Sequence, residues 1–185
     1  MITNPSRSAY LSALIVLAAC LPTAGCQRAP TRERVIETTA YCPCGECNGY
    51  VRGRWLYLKL DQWNRYVSYG SSKGKKYTGQ TAGGGRLRTS NPGLFSLDSL
   101  ERPWMIPLRM ILPWHILPRK GTIAADTDYY PFGTEMYIPG WGWGVVDDRG
   151  SAIKGPDRLD LMFATHWGSN RWGRRNVVVT IVERE

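Results

Sequence analysis

Beyond Gly121 the chain is cut so often by glycine and proline that no element there can run long, and what survives between the cuts is strand-like. Five short segments rich in β-branched and aliphatic residues follow at 122–125, 134–138, 144–147, 158–163 and 176–183. An earlier stretch, 35–41, alternates in the same way and supplies a further strand. Closely spaced short strands joined by Gly- and Pro-bearing turns predict an all-β protein built as a small barrel rather than a sandwich of long strands. Between the last two strands the Thr165 hydroxyl is placed to cap a short helix running toward Trp172. At 185 residues the chain suits one domain with a tail and not two independent cores, so a single site is expected.

The middle of the chain has a different character. Periodicity does not decide between strand and helix over 55–66, whereas 68–85 is dense in Gly, Ser and Lys and reads as a solvated loop. Residues 86–119 place Pro92, Pro103, Pro107, Pro113 and Pro118 among Leu, Ile, Met and Trp, which breaks any long helix. This segment is expected to be an apolar insertion that packs on the barrel or forms a groove wall or a membrane-facing lip.

An apolar run from Tyr10 to Ala19 is too short to span a bilayer and ends in Leu17-Ala18-Ala19-Cys20, a pattern that resembles the lipobox of bacterial lipoproteins. Cys20 is therefore the expected lipidation site, ahead of Cys26 in Thr23-Ala24-Gly25-Cys26, because Pro22 interrupts the apolar run and Leu17 stands three before Cys20. The expected organisation is a signal peptide over 1–20, a tether over 21–34 and the folded domain over 35–185, in an exported chain held in the cell envelope by an N-terminal lipid anchor. The cluster Cys42-Pro-Cys44-Gly-Glu-Cys47 is compatible with disulfide bonding, metal ligation or free thiols. A zinc site there wants a fourth ligand from elsewhere in the chain, and thiol catalysis is not expected, because neither His115 nor His166 has a sequence-level tie to the cluster; no metal and no other cofactor is assigned. The net charge of +9 favours an anionic partner, but no helix-turn-helix, finger or single-strand-binding signature accompanies it, so nucleic acid is not expected.

Three acidic residues lie beside strand ends or turns: Asp126 in Gly121-Thr-Ile-Ala-Ala-Asp126, Asp148 in Val145-Val-Asp-Asp148-Arg-Gly150, and Asp160 in Arg158-Leu-Asp160-Leu-Met-Phe163. Asp160 alternates against Leu159 and Leu161 and so faces away from them, with large neighbours to shelter it. A sheltered carboxyl near another carboxylate has its pKa raised, as a general acid requires. Lys154 stands between the turn glycines Gly150 and Gly155, and with Thr81 and Thr134 these are the candidate substrate-binding residues.

The run from Asp148 to Phe163, together with Asp126 and the following Pro131-Phe-Gly-Thr134, resembles the three-aspartate (3D) domain family, which shares its catalytic core with membrane-bound lytic transglycosylase A. Trp172-Gly-Arg-Arg and Val177-Val-Val resemble the closing helix and strand of that family, and Thr39-Ala-Tyr-Cys-Pro-Cys44 with Thr81-Ala-Gly-Gly84 its opening. The resemblance implies a six-stranded double-psi β-barrel and cleavage of the MurNAc–GlcNAc β-1,4 bond of peptidoglycan glycan strands with closure of a 1,6-anhydro ring. It gives Asp160 the role of catalytic acid, with Asp148 and Asp126 as supporting carboxylates. Three departures stand out: Pro156-Asp157 lengthens the Asp148–Asp160 gap by one residue, Asn48 replaces a frequent further Cys, and 86–119 replaces a short link. A non-catalytic peptidoglycan-binding lipoprotein of the expansin-like type is the alternative, and an inverting glycosidase using Asp148 and Asp160 is a third.

Overall fold

The structure, a computed structural model, describes residues 29–53, 61, 63–96, 99–100, 103–112 and 115–183. The expected signal peptide, both lipidation candidates and residues 55–60 and 62 of the ambiguous segment 55–66 lie outside the described residues.

Among the described residues eight strands form: β1 (Thr31–Tyr41), β2 (Tyr50–Arg52), β3 (Arg65–Val67), β4 (Gly121–Ala124), β5 (Glu135–Ile138), β6 (Gly142–Asp148), β7 (Arg158–Met162) and β8 (Arg175–Val182). Six of them close a barrel in the order β1-β7-β4-β6-β5-β8, and β2 and β3 make a separate hairpin. Pairing is mixed: β1 runs parallel to β7 and β4 parallel to β6, and the other barrel pairs are antiparallel. The fold is thus all-β with a closed six-stranded barrel, as the strand spacing predicts. Every predicted strand from 122 onward is present within two residues of its expected ends.

The barrel is filled rather than hollow, as small barrels must be. Alternate residues point inward, and Ile36, Ile123, Met136, Ile138, Val146, Leu159, Leu161, Val179 and Ile181 make one buried cluster with Tyr130, Trp141 and Trp172. One polar residue, Thr38, is also fully enclosed. Its hydroxyl accepts from Trp172 Nε1 at 3.2 Å and donates to the Arg175 carbonyl at 3.1 Å, so both of these enclosed polar side chains are paired with each other or with backbone. Trp172 belongs to α3 (His166–Trp172), whose N-cap is Thr165 with its side chain accepting from the Gly168 amide, as the sequence predicts.

Among the described residues two other short helices have given bounds: α1 (Gly45–Asn48) follows the cysteine-bearing turn, and α2 (Ile106–Ile111) lies in the 86–119 insertion after a 3-10 turn at Pro103–Met105. The prolines punctuate this segment as expected, but Pro107 falls in the first turn of α2, where its missing N–H has no intrahelical partner to lose. The neck of the insertion is closed by reciprocal Asn91–Arg119 backbone hydrogen bonds of 2.9 and 2.8 Å and stitched to β4 where Thr122 and Arg88 exchange bonds. Gly93 is required in that neck: its φ is +81°, and a Cβ there would stand 2.8 Å from the Pro118 nitrogen. The insertion packs on the barrel and also walls a groove of about 740 Å³ against β5 and β6, lined by Phe95, Pro118, Tyr137, Trp141 and Trp143 among others.

Leu161 sits at the centre of the packed interior with no exposure. Leu161→Ala is expected to lower unfolding free energy by about 2–5 kcal/mol, read from the midpoint shift in urea denaturation.

Candidate functional site

The inward alternation of β7 leaves Asp160 on the outer wall of the barrel, in register with Thr39 of β1 on one side and Ala124 of β4 on the other. That outer wall is not bare. Tyr41, Ala124 and Met162 form a second buried cluster there, with Cys47 and Leu87 packed against it. Asp160 is consequently half-buried although it points away from the core.

Parallel pairing of β1 and β7 sets the closest contact of the Asp160 carboxyl: Thr39 Oγ1 donates to Asp160 Oδ1 at 2.9 Å. Burial pushes the Asp160 pKa up; the Thr39 hydroxyl and the Leu161 amide pull it back, and the Asp148 carboxylate raises it again. The net direction is upward, toward a carboxyl that holds its proton closer to neutrality than a solvated aspartate.

Asp148, at the end of β6, is fixed by three donors. The Tyr41 hydroxyl donates to Oδ2 at 3.1 Å, and the Ala82 and Arg149 amides donate to Oδ1 at 3.0 and 2.9 Å. Burial, followed by the charge of Asp148 and the hydrogen bond to it, raises the Tyr41 pKa, so this ring remains a neutral donor. Asp147 anchors the covering loop: Thr81 Oγ1 donates to Asp147 Oδ2 at 2.8 Å and the Gly83 amide donates to its carbonyl at 2.9 Å. Glycine is needed at 83, where a Cβ would fall 2.2 Å from Asp147 Oδ1.

The structure brings Asp148 and Asp160 into one field, whereas Asp126 answers to different neighbours. Its Oδ2 accepts from the Gly155 amide at 2.9 Å and its Oδ1 from the Asp128 amide at 3.3 Å. These two amides, and then the Lys154 and Arg149 charges, hold its pKa below the usual carboxylate range against a smaller contribution from burial. Asp126 is therefore an anion that pins the 149–157 turn. Of the other candidates, Thr81 spends its hydroxyl on Asp147 and Thr134 donates to the Pro131 carbonyl at 2.7 Å. Gly150 accepts from the Ile153 amide at 3.1 Å to close its turn, and Lys154 is exposed.

Sequence reasoning does not single out Thr39, Tyr41 or Asp147 as partners of the aspartates, because their roles arise from pairing between distant strands. The available signal is alternation: Thr39 and Tyr41 share one face of β1, opposite Thr38. Beside Tyr41, a cavity of about 500 Å³ is lined by Pro43, Arg65, Tyr77, Gln80, Arg86 and Leu87, among others. Tyr77 stacks on Tyr50 at 4.6 Å, with the Arg65 guanidinium over both rings.

The cysteine cluster opens directly from the end of β1. Cys42, Cys44 and Cys47 are free thiols, and Cys42 Sγ lies 3.6 Å from Cys47 Sγ, far beyond the S–S bond length of about 2.05 Å. All three sulfurs face His166, at the first position of α3.

Thr39→Val removes a bond that lowers the Asp160 pKa, so that pKa is expected to rise further, which a carboxyl-carbon NMR titration measures. The depressed Asp126 pKa stabilises the fold above the unfolded value of about 3.9, and that contribution is lost as pH falls through the lower folded value. Asp126→Asn is expected to flatten the acid limb of a stability-versus-pH curve.

Comparison with known proteins matches residues 121–183 to the model of the 3D domain. A Bacillus subtilis (strain 168) protein named for cell wall shaping, YabE, is 34% identical over 65 residues, 35% of this chain and 16% of that protein. The cell wall-binding protein YocH of the same organism is 31% identical over 65 residues, 35% of this chain and 22% of that protein. The chain thus covers less than a quarter of the length of either relative. β4 through β8 and the aspartates Asp126, Asp148 and Asp160 all lie inside residues 121–183, the segment of this chain that matches the 3D domain model.

Proposed function

We propose that this chain is an exported, envelope-held lytic transglycosylase that cleaves the MurNAc–GlcNAc β-1,4 bond of peptidoglycan, with Asp160 as its acid. The observation that carries this reading is the half-buried Asp160 carboxyl, whose pKa is raised by burial and by Asp148 while Thr39 fixes one oxygen. The cell wall functions in the names of YabE and YocH support the substrate class. Export and lipidation at Cys20 rest on the apolar run and lipobox pattern; among the described residues no helix is long and apolar enough to cross a membrane.

In this mechanism Asp160 protonates the glycosidic oxygen as the bond to C1 breaks. Its carboxylate then takes the proton of the 6-hydroxyl as that oxygen attacks C1, and the 1,6-anhydro ring closes. One acid–base group suffices, whereas hydrolysis with inversion needs a second carboxylate free to activate water. Asp148 suits that second task poorly, because Tyr41, Ala82 and Arg149 already occupy its oxygens. Its charge instead opposes early ionisation of Asp160, and Tyr41 keeps it in place. Lys154, exposed on the turn pinned by Asp126, is available to the lactyl and peptide carboxylates of the glycan.

Incubation with purified peptidoglycan is expected to release anhydro-muropeptides by mass spectrometry, slowed about 10²- to 10⁴-fold in Asp160→Asn. Rates are expected to fall as pH rises through the elevated Asp160 pKa, since the working form is protonated. Reducing-end products would identify a hydrolase, and retention on the wall without any release would leave a binding module in its place.

A further inference from the structure

We propose that Cys42, Cys44, Cys47 and His166 form a tetrahedral zinc site that ties the end of β1 to the start of α3. The four ligand atoms lie within 4.8 Å of one another. His166 Nδ1 stands 3.7, 3.5 and 3.7 Å from the sulfurs of Cys42, Cys44 and Cys47, and Cys42 Sγ stands 3.6 Å from Cys47 Sγ. Zinc bonds of about 2.0–2.3 Å in a tetrahedron require ligand–ligand edges of about 3.3–3.8 Å, and the three sulfur–imidazole edges and the Cys42–Cys47 edge fall in that range. A disulfide needs two of these sulfurs at bonding distance, and a thiol nucleophile needs one sulfur beside one base. Three sulfurs converging equally on one imidazole nitrogen fit neither.

The surroundings are those of a metal site as well. The other ring nitrogen of His166, Nε2, faces Glu46 Oε2 at 3.4 Å, the carboxylate–histidine pairing that fixes which nitrogen is left to bind metal. Asn48, standing where the resemblance leads one to expect another Cys, donates from its side chain to the Cys42 and Cys44 carbonyls and holds the turn closed. Gly49 ends α1 in the left-handed region at φ 58°, which returns the chain to β2. A soft thiolate-rich set selects zinc over calcium or magnesium. Binding one Zn²⁺ displaces the thiol protons to solvent, leaves His166 neutral and changes no oxidation state, so no oxidant or reductant is involved. Four protein ligands close the coordination sphere, which makes the site structural rather than catalytic.

The site bears on the aspartates through Tyr41, which directly precedes Cys42 and whose carbonyl accepts from the Phe163 amide at 2.8 Å. It does not depend on what the aspartates do. Elemental analysis of the full chain, purified without chelators, is expected to give one zinc per chain. Cobalt exchanged into the site is expected to show the intense visible bands of tetrahedral thiolate ligation. Cys44→Ser and His166→Ala are expected to lower zinc content at least tenfold, whereas His166→Cys, which completes a four-thiolate set, retains it. Peptide-level alkylation of the wild-type chain is expected to find Cys42, Cys44 and Cys47 all reduced. A disulfide between any two of them, or wild-type chain that takes up no zinc or cobalt with all three thiols reduced, would overturn the site even if the variants fail to fold.

Discussion

The parallel alignment of β1 with β7 is the contact from which the rest of the architecture follows. It helps close the barrel between sequence-distant ends of the domain, and it fixes Thr39 beside Asp160 through strand register rather than through a loop. A strand slipped by one residue would turn Leu159 and Leu161 outward and drive Asp160 into the largely apolar core. The register that makes the core therefore also sets the geometry of the acid, and the two cannot be altered separately.

Around that strand pair the protein builds a graded electrostatic environment. Asp160 is deprived of water by the outer cluster of Tyr41, Ala124 and Met162, so its charged form is penalised. Asp148, in contrast, is fixed in position by the Tyr41 hydroxyl and the Ala82 and Arg149 amides, and Asp126 is held as an anion by the Gly155 and Asp128 amides. Identical side chains thus acquire different properties from burial, hydrogen bonding and neighbouring charge. Of the two whose pKa departs from the ordinary carboxylate value, the one on β7 is pushed up and Asp126 is pushed down.

The outer shell is held together by small constraints distributed over loops. The Thr81–Asp147 bond seats one loop, Asn91 and Arg119 close the neck of the insertion, and the sulfur–imidazole cluster joins the exit of β1 to α3. Because the short strands cannot bury their outer faces against one another, such loops supply the cover that gives Asp160 its environment. The 86–119 insertion extends the same principle to β5 and β6, where it converts a barrel wall into one side of a groove.

Much of this was written locally. Alternation placed the strands and turned Asp160 away from Leu159 and Leu161, Thr165 announced the α3 cap, and the prolines limited the insertion to short helical turns, because backbone sterics and side-chain period act over a few residues. Strand order, the approach of Tyr41 to Asp148 and the separation of Asp126 from the other two aspartates were not legible, since each depends on pairing between segments far apart in the chain. His166 is the plainest case: it lies 119 residues from Cys47, with nothing in the intervening sequence to link them, and only barrel closure brings its ring to the three sulfurs. Local sequence determined which residues could form strands, caps and turns; tertiary structure alone decided which distant side chains share a field, because electrostatic and coordination energies depend on distance in space and not along the chain.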